Sequence, residues 1–219
     1  MSAANDRARA GEGIGPQYTV ECALMKLFGT VTSPFVRRVR IVAHELSMQV
    51  ELIDTSSPEG QAELRSVTPI WKVPAALIDD RVVFDSRAII DLLLDQRGVH
   101  PLRRTTQATR ITELNMLNAI DGGLESAIRV FYVRRDGHDI APIPYLTKER
   151  DRVRSTMSWI ESQLRGSYCT EEAGFGLSEI ALVTAIGWMR FRQAYPVEDH
   201  PQLMAFYDAW ASRPSVRGP

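Results

Sequence analysis

Met25-Lys-Leu-Phe-Gly-Thr-Val-Thr-Ser-Pro-Phe-Val-Arg-Arg-Val-Arg40 packs a short apolar run, a glycine, a loop and a helix start into one stretch. Met25 to Thr30 reads as a strand that ends at Gly29, and Val31 to Phe35 as the loop that follows it. Ser33 suits the N-cap of the next helix because its side-chain oxygen can accept from a first-turn amide. Pro34 suits the first helical position because it lacks the amide that would go unpaired there. Phe35, Val39, Val42 and Leu46 recur at helical spacing, which predicts one buried stripe with Arg37, Arg38 and Glu45 left in water. Val50 to Asp54 then reads as a second strand and completes a β-α-β unit.

Downstream, Thr55 to Gly60 is turn-rich and Pro58 to Ser66 reads as a short, irregular helix. Pro74 to Ile78, the Asp79-Asp80 turn and Arg81 to Phe84 read as an antiparallel hairpin. Asp85-Ser86 opens a helix that should turn Ala88, Ile89, Leu92 and Leu93 inward and end near Gly98. The order β-α-β then β-β-α is that of a thioredoxin-like α/β half. From Pro101 the strand signals vanish. Ile111, Leu114, Leu117, Ile120, Leu124, Ile128 and Phe131 predict a long helix, broken by Gly137 to Pro144. Further helices are expected over Thr147 to Arg165, Leu177 to Ala194 and Pro201 to Ser212. The fold class is therefore a thioredoxin-like α/β N-terminal domain, residues 25–98, followed by an all-α C-terminal domain, residues 105–219. Residues 1–24 read as a flexible extension.

Composition narrows the function classes. Lys and Arg number 26 against 27 Asp and Glu, so no global field gathers nucleic acid or anionic membrane, and a small ligand is favoured. No apolar run reaches the roughly 18 to 20 residues of a membrane span, and the first residues lack the apolar core of a secretory signal. The 2 cysteines, Cys22 and Cys169, stand far apart in no metal-type or CxxC spacing, which points to a reducing cytoplasm. His44, His100, His138 and His200 are scattered, so no metal is expected. No glycine-rich phosphate loop occurs. Trp159, Trp188 and Trp210 read as core. Met116, Ile120, Phe131 and Tyr132 read as core too, with an apolar pocket facing Ser33 as the alternative.

Three stretches, in this order and on these elements, resemble bacterial glutathione transferases. Thr32-Ser-Pro-Phe-Val-Arg-Arg-Val-Arg40 is similar to the segment opening that family's first helix. Thr68-Pro-Ile-Trp-Lys-Val-Pro74 resembles its Asn-Pro-x-x-x-Val-Pro stretch with a cis-proline, and Phe84-Asp-Ser-Arg-Ala-Ile-Ile90 its Glu/Asp-Ser-x-Ala-Ile pair. The ending Pro201 to Ser215 is similar to the family's last helix. The resemblance covers roughly Met25 to Pro219.

It implies an enzyme, a glutathione S-transferase that uses glutathione as co-substrate. Its other partner is a small hydrophobic electrophile, and the assembly is a cytoplasmic homodimer with a role in detoxification. A thiol of pKa near 8.5 is mostly protonated at neutral pH, so the chemistry needs a group that favours the thiolate. Ser33 fills that role by donating its hydroxyl hydrogen beside a helix N-terminus, with Thr30 and Thr32 as rivals on the same loop. The glutathione-binding set implied is Phe35, Lys72, Val73, Pro74, Asp85 and Ser86. Val73 offers backbone groups to the cysteinyl unit, and Lys72 reaches a carboxylate. Ser86 receives the γ-glutamyl carboxylate and Asp85 the ammonium. A glutathione-dependent isomerase or dehalogenase, or a non-catalytic binding protein of the same fold, is the alternative. Gly176 and Glu179 stand where the family carries a Ser/Thr-x-x-Asp helix cap, a folding feature.

Overall fold

The computed structural model describes residues 24–98, 100–103, 106–171 and 173–218, so the extension read over 1–24 lies outside the described residues but for Leu24. Strands β1 (Met25–Gly29), β2 (Val50–Asp54), β3 (Ala75–Ile78) and β4 (Arg81–Phe84) form one four-stranded sheet in the order β2-β1-β3-β4. β2 runs parallel to β1, while β3 and β4 are antiparallel to their neighbours. Helices α1 (Pro34–Glu45), α2 (Pro58–Val67) and α3 (Ser86–Arg97) complete this half. Alternation along β1 decides the two faces. Met25 and Leu27 enter the large core with α1 and α3, whereas Phe28 points the other way, onto Leu64 of α2 and Ala75. The hairpin begins one residue later than expected, because Pro74 has no amide to give the ladder.

The helical half comprises α4 (Gln107–Arg135), α5 (Pro144–Gln163), α6 (Leu177–Arg192), a 3-10 turn at Val197–Asp199, α7 (Pro201–Ala211) and a short α8 (Pro214–Arg217). α6 is buried nearly all round, through Ile180, Leu182, Val183, Ile186 and Met189, and packs against both α1 and α4. α5 starts earlier than expected, at Pro144, a residue suited to a first helical turn. His200 accepts or donates to the Tyr195 hydroxyl at 2.7 Å and to Glu161 at 2.8 Å, tying the start of α7 to α5. Among the described residues no helix is long and apolar enough to cross a membrane, and no three His, Cys, Asp or Glu converge on one point.

Several burial expectations need correction. Ile111 is 55% and Leu114 39% exposed, while Glu113, Met116, Leu117, Ile120, Leu124 and Ala127 face inward. Steps of three residues drift by about 60° each on a helix, so Ile111 lies on the face opposite Ile120. α3 buries Ile89, Ile90, Leu93 and Leu94, leaving Ala88 exposed. Trp159 is 43% exposed, Trp188 is buried and Trp210 is half-buried, its indole N–H donating to the Ser167 carbonyl at 2.7 Å.

Arg38, expected in water, is only 2% exposed, because α1 is covered by the sheet on one side and the helical half on the other. Glu45 is likewise engaged: it accepts from Arg213 Nε and Nη2 at 2.8 Å each, and from the Ser215 hydroxyl. The Arg213 hydrogen bond holds its carboxyl below the usual carboxylate range, against the opposing effect of burial. A carboxyl held low in the folded state stabilises above its unfolded pKa, and that contribution disappears as pH falls through the folded pKa. Thermal melts of wild type and Glu45→Gln should therefore differ at neutral pH and converge toward acid. Curves that stay parallel would remove Glu45 from the acid limb.

Candidate functional site

Phe28 faces Ala75 in the β1–β3 register, and Ala75 faces Phe84 in the β3–β4 register. Three segments therefore leave the sheet at one end: Thr30 to Ser33 after β1, Lys72 to Pro74 before β3, and Asp85-Ser86 after β4. Strand neighbours lie about 4.8 Å apart, so the segments form a row roughly 10 Å wide. Every residue singled out from the sequence sits on this row or, for Phe35, in the first turn of α1.

Ser33 is the N-cap of α1, with φ −74° and ψ 125°, and its Oγ accepts from the Val36 amide at 3.4 Å. In that bond the oxygen accepts, and among the described residues it donates to no protein group, so the hydroxyl hydrogen is uncommitted. Thr30 and Thr32 differ, since their hydroxyls bond each other at 3.2 Å and Thr32 also accepts from Arg192 Nη2 at 3.2 Å. Gly29 lets this loop lie close to α1: a Cβ there would meet Val36 Cγ2 at 2.3 Å.

The Val73-Pro74 bond is cis. Val73 is half-buried and falls outside the registers of the β3 ladder, and Pro74 is buried. Lys72 is exposed. Beside it Trp71 is 58% exposed at φ 52°, its ring covered by the Arg65 guanidinium at 4.7 Å.

Asp85 caps α3, accepting from the Arg87 amide at 2.8 Å, and holds φ 76°, a region L-residues occupy at a cost of about 1–3 kcal/mol. Ser86 follows at 3% exposure, and among the described residues its hydroxyl engages no protein group. Its hydroxyl stands at the start of α3, beside the positive-φ Asp85 cap, where a helix N-terminus offers positive potential.

Behind the row runs a network that sequence reasoning missed. Asp121 of α4 accepts from Arg38 at 2.5 Å and from Arg87 at 2.8 Å, Arg87 also donates to Asn118 at 2.9 Å, and Arg38 stacks on Phe35 at 4.7 Å. The helices that start at Ser33 and Ser86 are thereby tied to the helical half. Phe35, Arg38 and Arg87 fall within the stretches read from the sequence, whereas Asn118 and Asp121 do not. The opposite wall of the Ser33 loop is Arg192 with Phe131, whose ring meets Trp188 and Tyr132 edge-on at 5.5 Å. Of the residues weighed between core and pocket, Met116 and Ile120 are core, Phe131 is half-buried and Tyr132 is 45% exposed.

Comparison with known proteins identifies the family. The family model for the glutathione S-transferase N-terminal domain matches residues 27–101, and that for the C-terminal domain matches residues 134–209. The chain is 26% identical over 201 residues to the uncharacterized GST-like protein YibF of Escherichia coli K12, covering 87% of this chain and 96% of that protein. A glutathione S-transferase from Methylobacillus flagellatus, solved with glutathione bound, superposes with a TM-score of 0.77 at 26% identity, covering 88% and 97% of the two chains. A glutathione transferase family member from Pseudomonas fluorescens, also with bound glutathione, gives a TM-score of 0.73 at 28% identity and the same coverage, 88% and 97%. With matches to both halves, separated by the element order seen here, the chain belongs to the glutathione S-transferase family.

Proposed function

We propose that the chain binds glutathione along the row of segments at the sheet end and transfers its sulfur to a small, largely apolar electrophile. The observation that carries this is Ser33: it stands at the N-terminus of α1 with its hydroxyl hydrogen uncommitted, in line with an off-ladder Val73 and an unengaged Ser86. Glutathione bound to the relatives from Methylobacillus flagellatus and Pseudomonas fluorescens supports the same ligand here. In this arrangement the Ser33 hydroxyl, the Phe35 amide and the positive end of α1 favour the thiolate over the thiol. The sulfur lone pair then forms a bond to the electrophilic carbon, and the displaced electron pair leaves with a leaving group such as halide. Ser33 is a donor throughout and is never alkylated. Thiol reduction through a mixed disulfide is disfavoured, since that chemistry needs a protein thiolate where serine stands.

Val73 offers its backbone to the cysteinyl unit, Ser86 and the start of α3 receive the γ-glutamyl carboxylate, Asp85 the ammonium, and Lys72 a further carboxylate. Phe35 and Pro74 shape the floor. In this reading the chain divides into a glutathione-binding unit at 25–98 and a helical unit at 105–219, and two copies assemble as a cytoplasmic homodimer with a part in detoxification.

Ser33→Ala tests the assignment. Conjugation of glutathione to a generic aryl halide at pH 7 should fall about 10²-fold in kcat, the size expected for losing one donor to a developing anion. Retention on immobilised glutathione should persist. The deficit should narrow toward pH 9, where free thiol ionises unaided. A fully active Ser33→Ala would move the role to Thr30 or Thr32. Glutathione binding without turnover on a panel of electrophiles would favour the non-catalytic alternative.

A further inference from the structure

Arg192 ends α6 and projects to the loop that precedes α1. Its Nη2 donates to Thr32 Oγ1 at 3.2 Å, and its guanidinium stacks 4.8 Å from the Phe191 ring and 5.7 Å from the Phe131 ring. Those are neutral partners. Among the described residues no carboxylate lies within ion-pair distance of it, whereas Arg38, Arg87, Arg103, Arg129, Arg190 and Arg213 all have one. A guanidinium carries five N–H donors in a planar fork matched to a carboxylate, and Thr32 uses one. The residue is half-buried, so a partner there would be only partly screened by solvent. Thr32 adjoins Ser33, which sets this unpaired cation on the side of the loop faced by α4 and α6, away from Lys72 and Asp85 on the sheet row.

We propose that Arg192 recognises a carboxylate on the electrophile, so that the acceptor class is a molecule with an apolar body and one anionic end. The inference rests on the glutathione reading of the same site. Phe131 and Phe191 hold the guanidinium plane and line the approach, and the acceptor's carboxylate pairs with the remaining N–H groups while its reactive carbon meets the sulfur above Ser33. Arg192 thus acts on the second substrate and takes no part in ionising the first.

The probes are S-methylglutathione and S-(carboxymethyl)glutathione, which differ by one carboxylate where the electrophile would stand, titrated calorimetrically into wild type, Arg192→Met and Arg192→Lys. Met keeps the apolar stem that lies against Phe131. Wild type should bind the carboxymethyl conjugate at least about tenfold tighter than the methyl one, the size of a charge-assisted hydrogen bond. Arg192→Met should lose that preference while keeping its affinity for S-methylglutathione, and Arg192→Lys should retain part of it. The inference is overturned if wild type shows no preference, or if Arg192→Met weakens both conjugates equally, which would mean that the guanidinium holds glutathione itself. Should Arg192→Met fail to fold, Arg192→Gln takes its place: loss of the preference with S-methylglutathione binding intact supports the inference, and an undiminished preference overturns it. If wild type binds neither conjugate nor glutathione, the glutathione reading fails first and takes the inference with it. Glutathione binding without the preference defeats the inference alone.

Discussion

Replacing Asp121 by alanine should lower the unfolding free energy by about 3–5 kcal/mol, the range seen when one partner of a buried ion pair is removed. The loss comes from what remains. Arg38 is 2% exposed and among the described residues its Nε already lacks a hydrogen-bond partner, so without Asp121 its charge is left desolvated beneath the Phe35 ring. Arg87 matters less to this sum, being 41% exposed on its side chain and able to turn to water. Urea titration reads the effect as a shift of midpoint at constant slope. The double variant Arg38→Met with Asp121→Leu should recover much of it, since an apolar pair of similar volume leaves no unpaired charge. A loss below 1 kcal/mol for Asp121→Ala would show that solvent reaches Arg38. Because Arg38 and Arg87 sit on the helices that begin at Ser33 and Ser86, retention on immobilised glutathione should weaken in the same variant.

This network also marks where the sequence stopped being informative. The elements around the site were legible because each is a local signal: an apolar run, a proline after a serine, a two-residue turn between strands. Ser33 as N-cap, the hairpin and the start of α3 at Ser86 all follow from neighbours within four residues. Arg38 and Glu45 were misread because helical periodicity assigns one wet face, and α1 has two covered ones. Its second cover comes from α6 and α8, far along the chain. Asp121 and Arg192 carry no local signature whatever. One is an acid within a long helix and the other a basic residue in the last turn of its helix, the commonest of solvated patterns. Only the docking of the helical half onto α1 turns the first into a buried bridge and the second into a cation beside Ser33. The side chains whose surroundings depend on long-range docking are thus the ones least visible before folding.

Glu179→Ala should cost about as much as the loss of Asp121, on the order of 3–5 kcal/mol. Glu179 is fully buried at the third residue of α6, its Oε1 accepting from the Cys169 amide at 2.8 Å and its Oε2 from the Gly176 amide at 2.9 Å. Gly176 at the N-cap has no side chain to return the bond, so the carboxylate alone performs the duty that a reciprocal cap divides between two residues. Alanine leaves two buried amides without acceptors, each worth about 1–3 kcal/mol, and vacates the space the longer side chain filled. Glutamine keeps an acceptor for one amide but sets an NH2 donor against the other, so it should fall between wild type and alanine. Aspartate is too short to span both amides and should behave more like alanine than like glutamine. Local fraying is not the expected outcome, since α6 is buried nearly all round and cannot loosen its first turn without exposing its core. A single urea transition at lower midpoint, with the slope unchanged, is the predicted signature. A change confined to early hydrogen exchange at Cys169 and Gly176, with the midpoint intact, would show instead that the start of α6 opens independently of the fold. The consequence reaches the site through the other end of the same helix, because α6 also carries Arg192 to Thr32. What fixes the start of α6 therefore fixes where its last guanidinium stands relative to Ser33.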